Sequence, residues 1–441
     1  MPRAKIVLLI LAAVAAALLT FLHVPGLNGP PFFPWPWRRL PASPLYAAIA
    51  IAAIPFFAAQ FIQRRTVVAF FLIMLSCFAI KLAIVTFRSD ITGKPASLAV
   101  VSMTVEDAST TSYFTDAAAL IHLPLRDWMS AFPDLMWNLH LHSATKPPGP
   151  ILYWLIFIKL MGLSDRTALM GGLVMGAIAT LSIPATYWML KQLLADKDAA
   201  WCGASFLALC PGFVLFFPMF DPTYILLSTA LIGLWFCALR DDRILFSASL
   251  GIVVAITGLI SFQIFVIGLF MIGLFFFSGR SLKIGLKHAA ITLLIAIALL
   301  GLIWIFLGYD PIATFAAAWR NQHRLLAAHS RDRLYPQTIF FDLSDFFMGA
   351  GWISLILLIF YFTSSRKQLP LAILAIAQLL VVAIAALLQS ETARVWNFLL
   401  PLLMIPIGLE LKSWKRGERI VCFVALALLT TIIYQNIGFL Y

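Results

Sequence analysis

Runs of about 20 apolar residues recur along the whole of this chain, separated mostly by short polar turns, and that feature restricts the fold to one built in lipid. Each run has the length of a helix that crosses a bilayer. The chain therefore reads as an all-α polytopic membrane protein. Composition agrees: 62% of residues are hydrophobic, 11% are charged and the mean hydropathy is +0.97, far outside the soluble range. Cys77, Cys202, Cys210, Cys237 and Cys422 all fall in apolar runs without metal-ligand spacing, so they read as core residues.

The first run, Ile6 to Leu22, follows Arg3 and Lys5 and lacks a small-residue cleavage site, which predicts an uncleaved span with its amino end in the cytoplasm. Spans over about Leu45 to Ile62 and Thr66 to Phe87 follow, joined by the cytoplasmic turn Gln63-Arg64-Arg65. Residues 88–166 then form a long outer loop. If Ile151 to Leu163 crossed the membrane, the later basic turns would all lie outside, so the positive-inside rule predicts that this run stays at the outer interface. Later spans are expected near 167–190, 199–219, 222–239, 244–258, 261–277, 289–307, 347–363, 370–388, 397–411 and 419–437, about thirteen crossings in all. The 244–277 region reads as a tight hairpin or a kinked pair.

On this threading the inner segments hold roughly 17 Lys and Arg against 6 Asp and Glu, and the outer segments roughly 13 of each. The net charge of +12 is thus an orientation signal, and a nucleic-acid-binding role has no support. Lys81 lies within a span and reads as snorkelling to the interface. No repeat or soluble domain is visible, so residues 1–441 read as one membrane domain with a second outer loop at 308–346.

The most polar stretch, Val105 to Tyr153, gathers Glu106, Asp107, Asp116, Asp127, Asp134, His122, His140, His142 and Lys146 between hydrophobic segments. Such residues are costly beside lipid and mark functional cavities, although solvent-facing loop charges are the plainer alternative for any one of them. The stretch ends in Thr145-Lys146-Pro147-Pro148-Gly149-Pro150. Prolines stop a preceding helix and suit the first turn of the next, which fixes the place of the lysine.

An acidic pair Glu106-Asp107, then Tyr113-Phe114-Thr115-Asp116-Ala117, then Lys146-Pro147-Pro148 follow in the order and spacing of a known loop. In these residues the chain resembles the polytopic GT-C glycosyltransferases, in the branch of the protein O-mannosyltransferases and the aminoarabinose transferases of lipid A. The resemblance covers about Ser102 to Trp396. It implies a GT-C-like bundle whose first outer loop is catalytic and contains juxtamembrane helices. It also implies an inverting transfer of a sugar from a polyprenyl-phosphate donor to a hydroxyl of a lipid, polysaccharide or protein acceptor, at the periplasmic face of a bacterial inner membrane.

Such a transfer needs a carboxylate to deprotonate the acceptor hydroxyl. Asp107 is the first choice, with Glu106 and Asp116 in contention and Tyr113 beside them as a substrate contact. Lys146 is expected to neutralise the donor phosphate. Asp221, in Phe220-Asp221-Pro222, sits where the family carries an acidic residue, and a helix N-cap is the alternative. In Gln389-Ser390-Glu391-Thr392-Ala393-Arg394-Val395-Trp396, Arg394 can fork onto a phosphate while Glu391 holds it, or the two can form a local pair. Among Arg320, His323, Arg324, His329, Arg331 and Arg333 of the second loop, His323 and Arg324 are candidate lipid-phosphate contacts and lipid headgroups are the alternative.

The motifs require no cofactor, but His140 and His142 with Asp107 or Asp116 are a candidate divalent-metal set. The aminoarabinose transferases have Glu where this chain has Thr145, which weakens that expectation. A transporter or flippase of lipid-linked sugars is the alternative function, and would place charges deep in the spans of two related halves. A scaffold subunit of an envelope complex is a third.

Overall fold

The computed structural model describes residues 2–29, 34–87, 96–328, 335–364, 368–389 and 391–439. It is 79% helix with no strand among the described residues, as the absence of period-two patterning requires. Seven helical segments are long and apolar enough to cross a membrane: Ala4–Phe21, Pro44–Phe61, Thr66–Thr86, Asp165–Leu194, Asp221–Asp241, Leu282–Leu307 and Arg416–Asn436. An eighth is made if Gln337–Ala350 and Ile353–Ser364, bent by 98° at their junction, count as one span. The chain has the helices of a multi-pass membrane protein.

The remaining apolar runs form shorter helices. The expected span at 199–219 is a helix over Lys197–Leu207, a turn, and a four-residue helix Pro211–Val214. Pro211 cannot continue the helix before it, and Pro218 and Pro222 prevent another from forming. Every side chain from Ala199 to Tyr224 is buried, so this irregular backbone is enclosed by protein, where its polar groups find partners. The expected span at 397–411 is likewise a buried helix over Leu400–Lys412, packed against Lys197–Leu207. The run at Ile151 to Leu163 forms the helix Gly149–Met161, about 20 Å long and too short to cross a ~30 Å hydrocarbon core.

The 244–277 region is a hairpin. Ser247 contacts His288 and Gly285 lies against Phe275, whereas Gly258 meets Tyr309 at the far end of the Leu282–Leu307 helix. Both ends of the hairpin thus lie beside the start of that helix.

Polar contacts sort to two ends of the bundle. At one end a chain of contacts runs from Lys5–Glu410 (2.5 Å) to Lys412–Asp196, then Arg240 to Gln192 (2.8 Å), and Asp242 with Lys287 and His288. These are the residues expected on the inner turns. The polar segments of residues 99–135, folded as Ala99–Glu106, Tyr113–Leu120, Leu125–Ser130 and Phe132–Leu135, gather at the other end with the turns at 217–224 and 391–396. Lys81 does not snorkel: it is fully buried, with its ammonium 3.9 Å from the centroid of the Phe213 ring and no hydrogen-bond partner. The helical turn Pro211–Val214 covers it, and a single span read alone cannot reveal that cover.

Candidate active site

Lys146 is held from both sides. Before it, Asn321 donates a hydrogen bond to the Ala144 carbonyl (2.8 Å), pinning the turn Ser143–Thr145. After it, Pro147 and Pro148 lead into the Gly149–Met161 helix, and a Cβ on Gly149 would fall 2.3 Å from the Leu259 carbonyl oxygen. Only glycine allows that approach. The ammonium so placed donates to the Tyr224 hydroxyl (3.1 Å), lies 3.6 Å from the Asp221 carboxylate and sits over the Tyr224 ring at 5.0 Å. Burial works against its charge, but Asp221, Tyr113 and Tyr224 outweigh burial and hold its pKa above the ordinary lysine value.

Asp221 does not cap a helix. Residue 223 is the N-cap of the Tyr224–Asp241 helix and no side chain caps that end, while Asp221 Oδ1 is buried without a hydrogen bond. The carboxylate faces Lys146 across the junction between the outer loop and a span.

Arg394 arrives from the opposite side on the short helix Thr392–Val395. That turn is moored by Asp345, whose carboxylate accepts from the Ala393 N–H (2.9 Å), the Thr392 hydroxyl (3.3 Å) and Trp35 Nε1 (2.9 Å). The guanidinium pairs with Glu391 and reaches Met219 Sδ (3.6 Å), yet Nε is buried with no hydrogen bond. Burial opposes its charge and Glu391, followed by Asp221, reinforces it, leaving the pKa raised. Tyr113 is buried, edge-on to Phe220 at 5.4 Å, and within the field of Lys146, Asp221 and Arg394. Lys146, Asp221, Arg394, Glu391 and Tyr113 therefore form one cluster.

Comparison with models of known protein families finds no match, and no curated protein is significantly similar to the chain.

The three carboxylates considered as base occupy different places. Asp107 accepts from the Ser109 N–H (3.1 Å) and from the hydroxyls of Ser109 and Thr110 (2.7 Å each), so it organises the turn before Ser112. Glu106 lies beside Asp165; burial and that second carboxylate hold its carboxyl above the usual range. Asp116 is buried and bonds His140 Nδ1 at 2.7 Å.

The proposed metal set is not assembled. His140 is engaged by Asp116, whereas His142 Nε2 donates to the Ser109 carbonyl (3.3 Å). Among the described residues no group of three or more His, Cys, Asp or Glu is arranged to hold a metal ion. An alternating extended segment would place both imidazoles on one side, but the chain here turns from Leu139 into Ser143–Thr145. His142 instead abuts the cationic cluster: burial, then Arg394 and Lys146, push its imidazole down to about 3.

His323 and Arg324 lie outside the cluster. They are exposed, with His323 edge-on to Trp319 (4.7 Å) and Arg324 over Trp137 (5.0 Å). In the run Asn321-Gln322-His323-Arg324 that holds them, the buried member is Asn321. His329, Arg331, Arg333 and Ser390 lie outside the described residues. Sequence reasoning missed Tyr224 and Asp345. Tyr224 stands three residues after Asp221, a helical neighbour spacing that could have found it; Asp345 carries no such local sign.

Proposed function

We propose that the chain is a membrane glycosyltransferase of GT-C type that moves a sugar from a polyprenyl-phosphate donor to an acceptor hydroxyl at the outer face of a bacterial inner membrane. The observation that carries this reading is the meeting of two cations, the largely buried Lys146 and the buried Arg394, at one end of the bundle, with Arg394 Nε buried and unused. A departing polyprenyl phosphate gains charge as the glycosidic bond breaks. Fixed cations and N–H donors in a dry site stabilise that charge most, and a guanidinium matches phosphate oxygens in geometry.

The lipid tail of such a donor needs a route from the bilayer, and the short helix Gly149–Met161 exposes Ile156, Leu160 and Met161 just after the site. In this reading the helix lies in the outer interface. Residues 88–166 and 308–346 are then the outer loops, and the shorter apolar helices complete about thirteen crossings. The gathering of Lys5, Arg240, Lys287 and Lys412 at the end remote from Lys146 supports an outward-facing site by the positive-inside rule. The acceptor is a lipid, polysaccharide or protein hydroxyl.

Transport of lipid-linked sugars is the competing reading, and it draws on Lys81, a buried ammonium within a span. The deciding measurement is mass spectrometry of envelope glycolipids from a deletion strain complemented with wild type, Lys146→Met or Arg394→Ala. Transfer predicts loss of one sugar mass from a product, restored by wild type and by neither variant. Accumulation of an intact lipid-linked sugar on the inner leaflet, with the product unchanged in a cell-free transfer assay, would favour transport.

A further inference from the structure

We infer that His140, oriented by Asp116, is the group that takes the proton from the acceptor, so that the base is an imidazole and not one of the loop carboxylates alone. This inference rests on the glycosyl-transfer reading above. Asp116 is 2% exposed and accepts from His140 Nδ1 at 2.7 Å, with the His140 backbone N–H at 3.5 Å from the same oxygen. An ionised carboxylate only accepts, which places the imidazole proton on Nδ1 and leaves the Nε2 lone pair as the free basic site. His140 is 48% exposed, and among the described residues nothing bonds its Nε2. A buried acid behind an imidazole whose far nitrogen is open is the arrangement of a general base with its orienting partner.

Two independent routes place this dyad beside the cationic cluster. Asp116 lies one turn after Tyr113 on the Tyr113–Leu120 helix, so the two share a face, and Tyr113 stands in the field of Lys146, Asp221 and Arg394. His142, two residues from His140 and so within ~7 Å of it in Cα separation, donates its backbone N–H to Ser112 Oγ (3.3 Å), the residue before Tyr113. Asp116 Oδ2 is also buried with no hydrogen bond. Asp107, by contrast, already accepts three bonds from its own turn.

The step balances as follows. The acceptor oxygen uses a lone pair to bond the anomeric carbon while its proton passes to His140 Nε2. The bond from that carbon to the phosphate oxygen breaks, and its electron pair leaves on the polyprenyl phosphate, beside Lys146 and Arg394. The imidazolium, stabilised by Asp116, returns its proton to solvent. His140 is the catalytic residue; Asp116 is a positioning residue.

The test separates this role from a structural one. An Asn at position 140 can keep a donor where Nδ1 stood, and so keep the Asp116 bond, but it has no basic nitrogen. The protein in lipid nanodiscs is assayed for binding of undecaprenyl phosphate, and for transfer through the sugar mass added to the lipid, polysaccharide and protein fractions of an envelope extract. His140→Asn is expected to lower kcat about 10²–10⁴-fold with undecaprenyl phosphate affinity and donor KM within about twofold. Asp116→Asn is expected to lower kcat less, again with donor KM unchanged. Retention of wild-type kcat by His140→Asn would overturn the inference while the transfer reading stands. Absence of any added sugar with wild type, in extract and in the complemented strain, would overturn both.

Discussion

The Lys146 ammonium lies 3.6 Å from the Asp221 carboxylate, joining the Lys-Pro-Pro turn of the outer loop to the mouth of the Tyr224–Asp241 helix. Both side chains are largely buried, at 13% and 7% exposure, so each depends on the other for its charge. Removing one partner of such a pair costs more than the pair contributes, because the survivor is left buried and uncompensated. Asp221→Asn is therefore expected to destabilise the protein by about 3 kcal/mol, with Lys146→Met/Asp221→Asn costing less than the sum of the single changes. Thermal unfolding in detergent or nanodiscs, run as a double-mutant cycle, measures this. Strict additivity would show that the pair is not coupled.

The mooring of the Arg394 turn provides a second test. A Cβ on Gly349 would fall 2.7 Å from the Ala393 carbonyl oxygen and 2.8 Å from its Cα, and backbone cannot swing aside as a side chain can. Gly349→Ala should shift the turn and reduce transfer about 10²-fold without touching substrate. Asp345→Ala, which frees the Ala393 N–H and Trp35 Nε1, should act in the same direction. Kinetics of both variants beside Arg394→Ala check this, and full activity in Gly349→Ala would show that the turn has slack.

The His142 imidazole gives a pH dependence with a definite sign. In the unfolded chain it takes up a proton near its ordinary value of 6.5, whereas in the fold it does so only near about 3. Between those values the unfolded state binds more protons, so stability falls as pH is lowered from about 6.5 towards 3. His142→Gln should flatten part of that decline. Unfolding midpoints of both proteins from pH 7 to 4 decide the matter, and parallel curves would refute it.

Orientation can be measured without knowing the substrate. The five native cysteines are buried, so they give little background to a membrane-impermeant thiol reagent. Ser109→Cys, at an exposed position near the Lys146 cluster's end of the bundle, should label in intact cells if the proposed orientation holds. Lys415→Cys, exposed at the end that holds Lys5 and Glu410, should label only after the membrane is opened. The reverse pattern would place the Lys146 cluster in the cytoplasm.

Much of the site was legible because some of its parts are local. Lys146 is announced by the two prolines behind it, the Glu391–Arg394 pair by its three-residue spacing, and Tyr113 and Asp116 by their common helix. The errors share a cause. Order along the chain favours Asp107 as base, and only the fold shows that its oxygens accept from Ser109 and Thr110. His140 and His142 were paired because they alternate, but an intervening turn sends one to Asp116 and the other to Ser109.

The sequence by itself determined that the chain is helical, that it carries several membrane-capable segments, and that much of its polar chemistry is concentrated in a few stretches between them. These follow from the length and apolarity of runs and the conformational limits of proline, which are properties of neighbouring residues. Only the tertiary structure decided that 197–223 is a buried, broken element and not one continuous helix, that Lys81 is enclosed, and which carboxylate faces which cation. Those outcomes depend on what packs against a residue from distant parts of the chain. Burial and charge pairing, unlike helix propensity, are set by that cover.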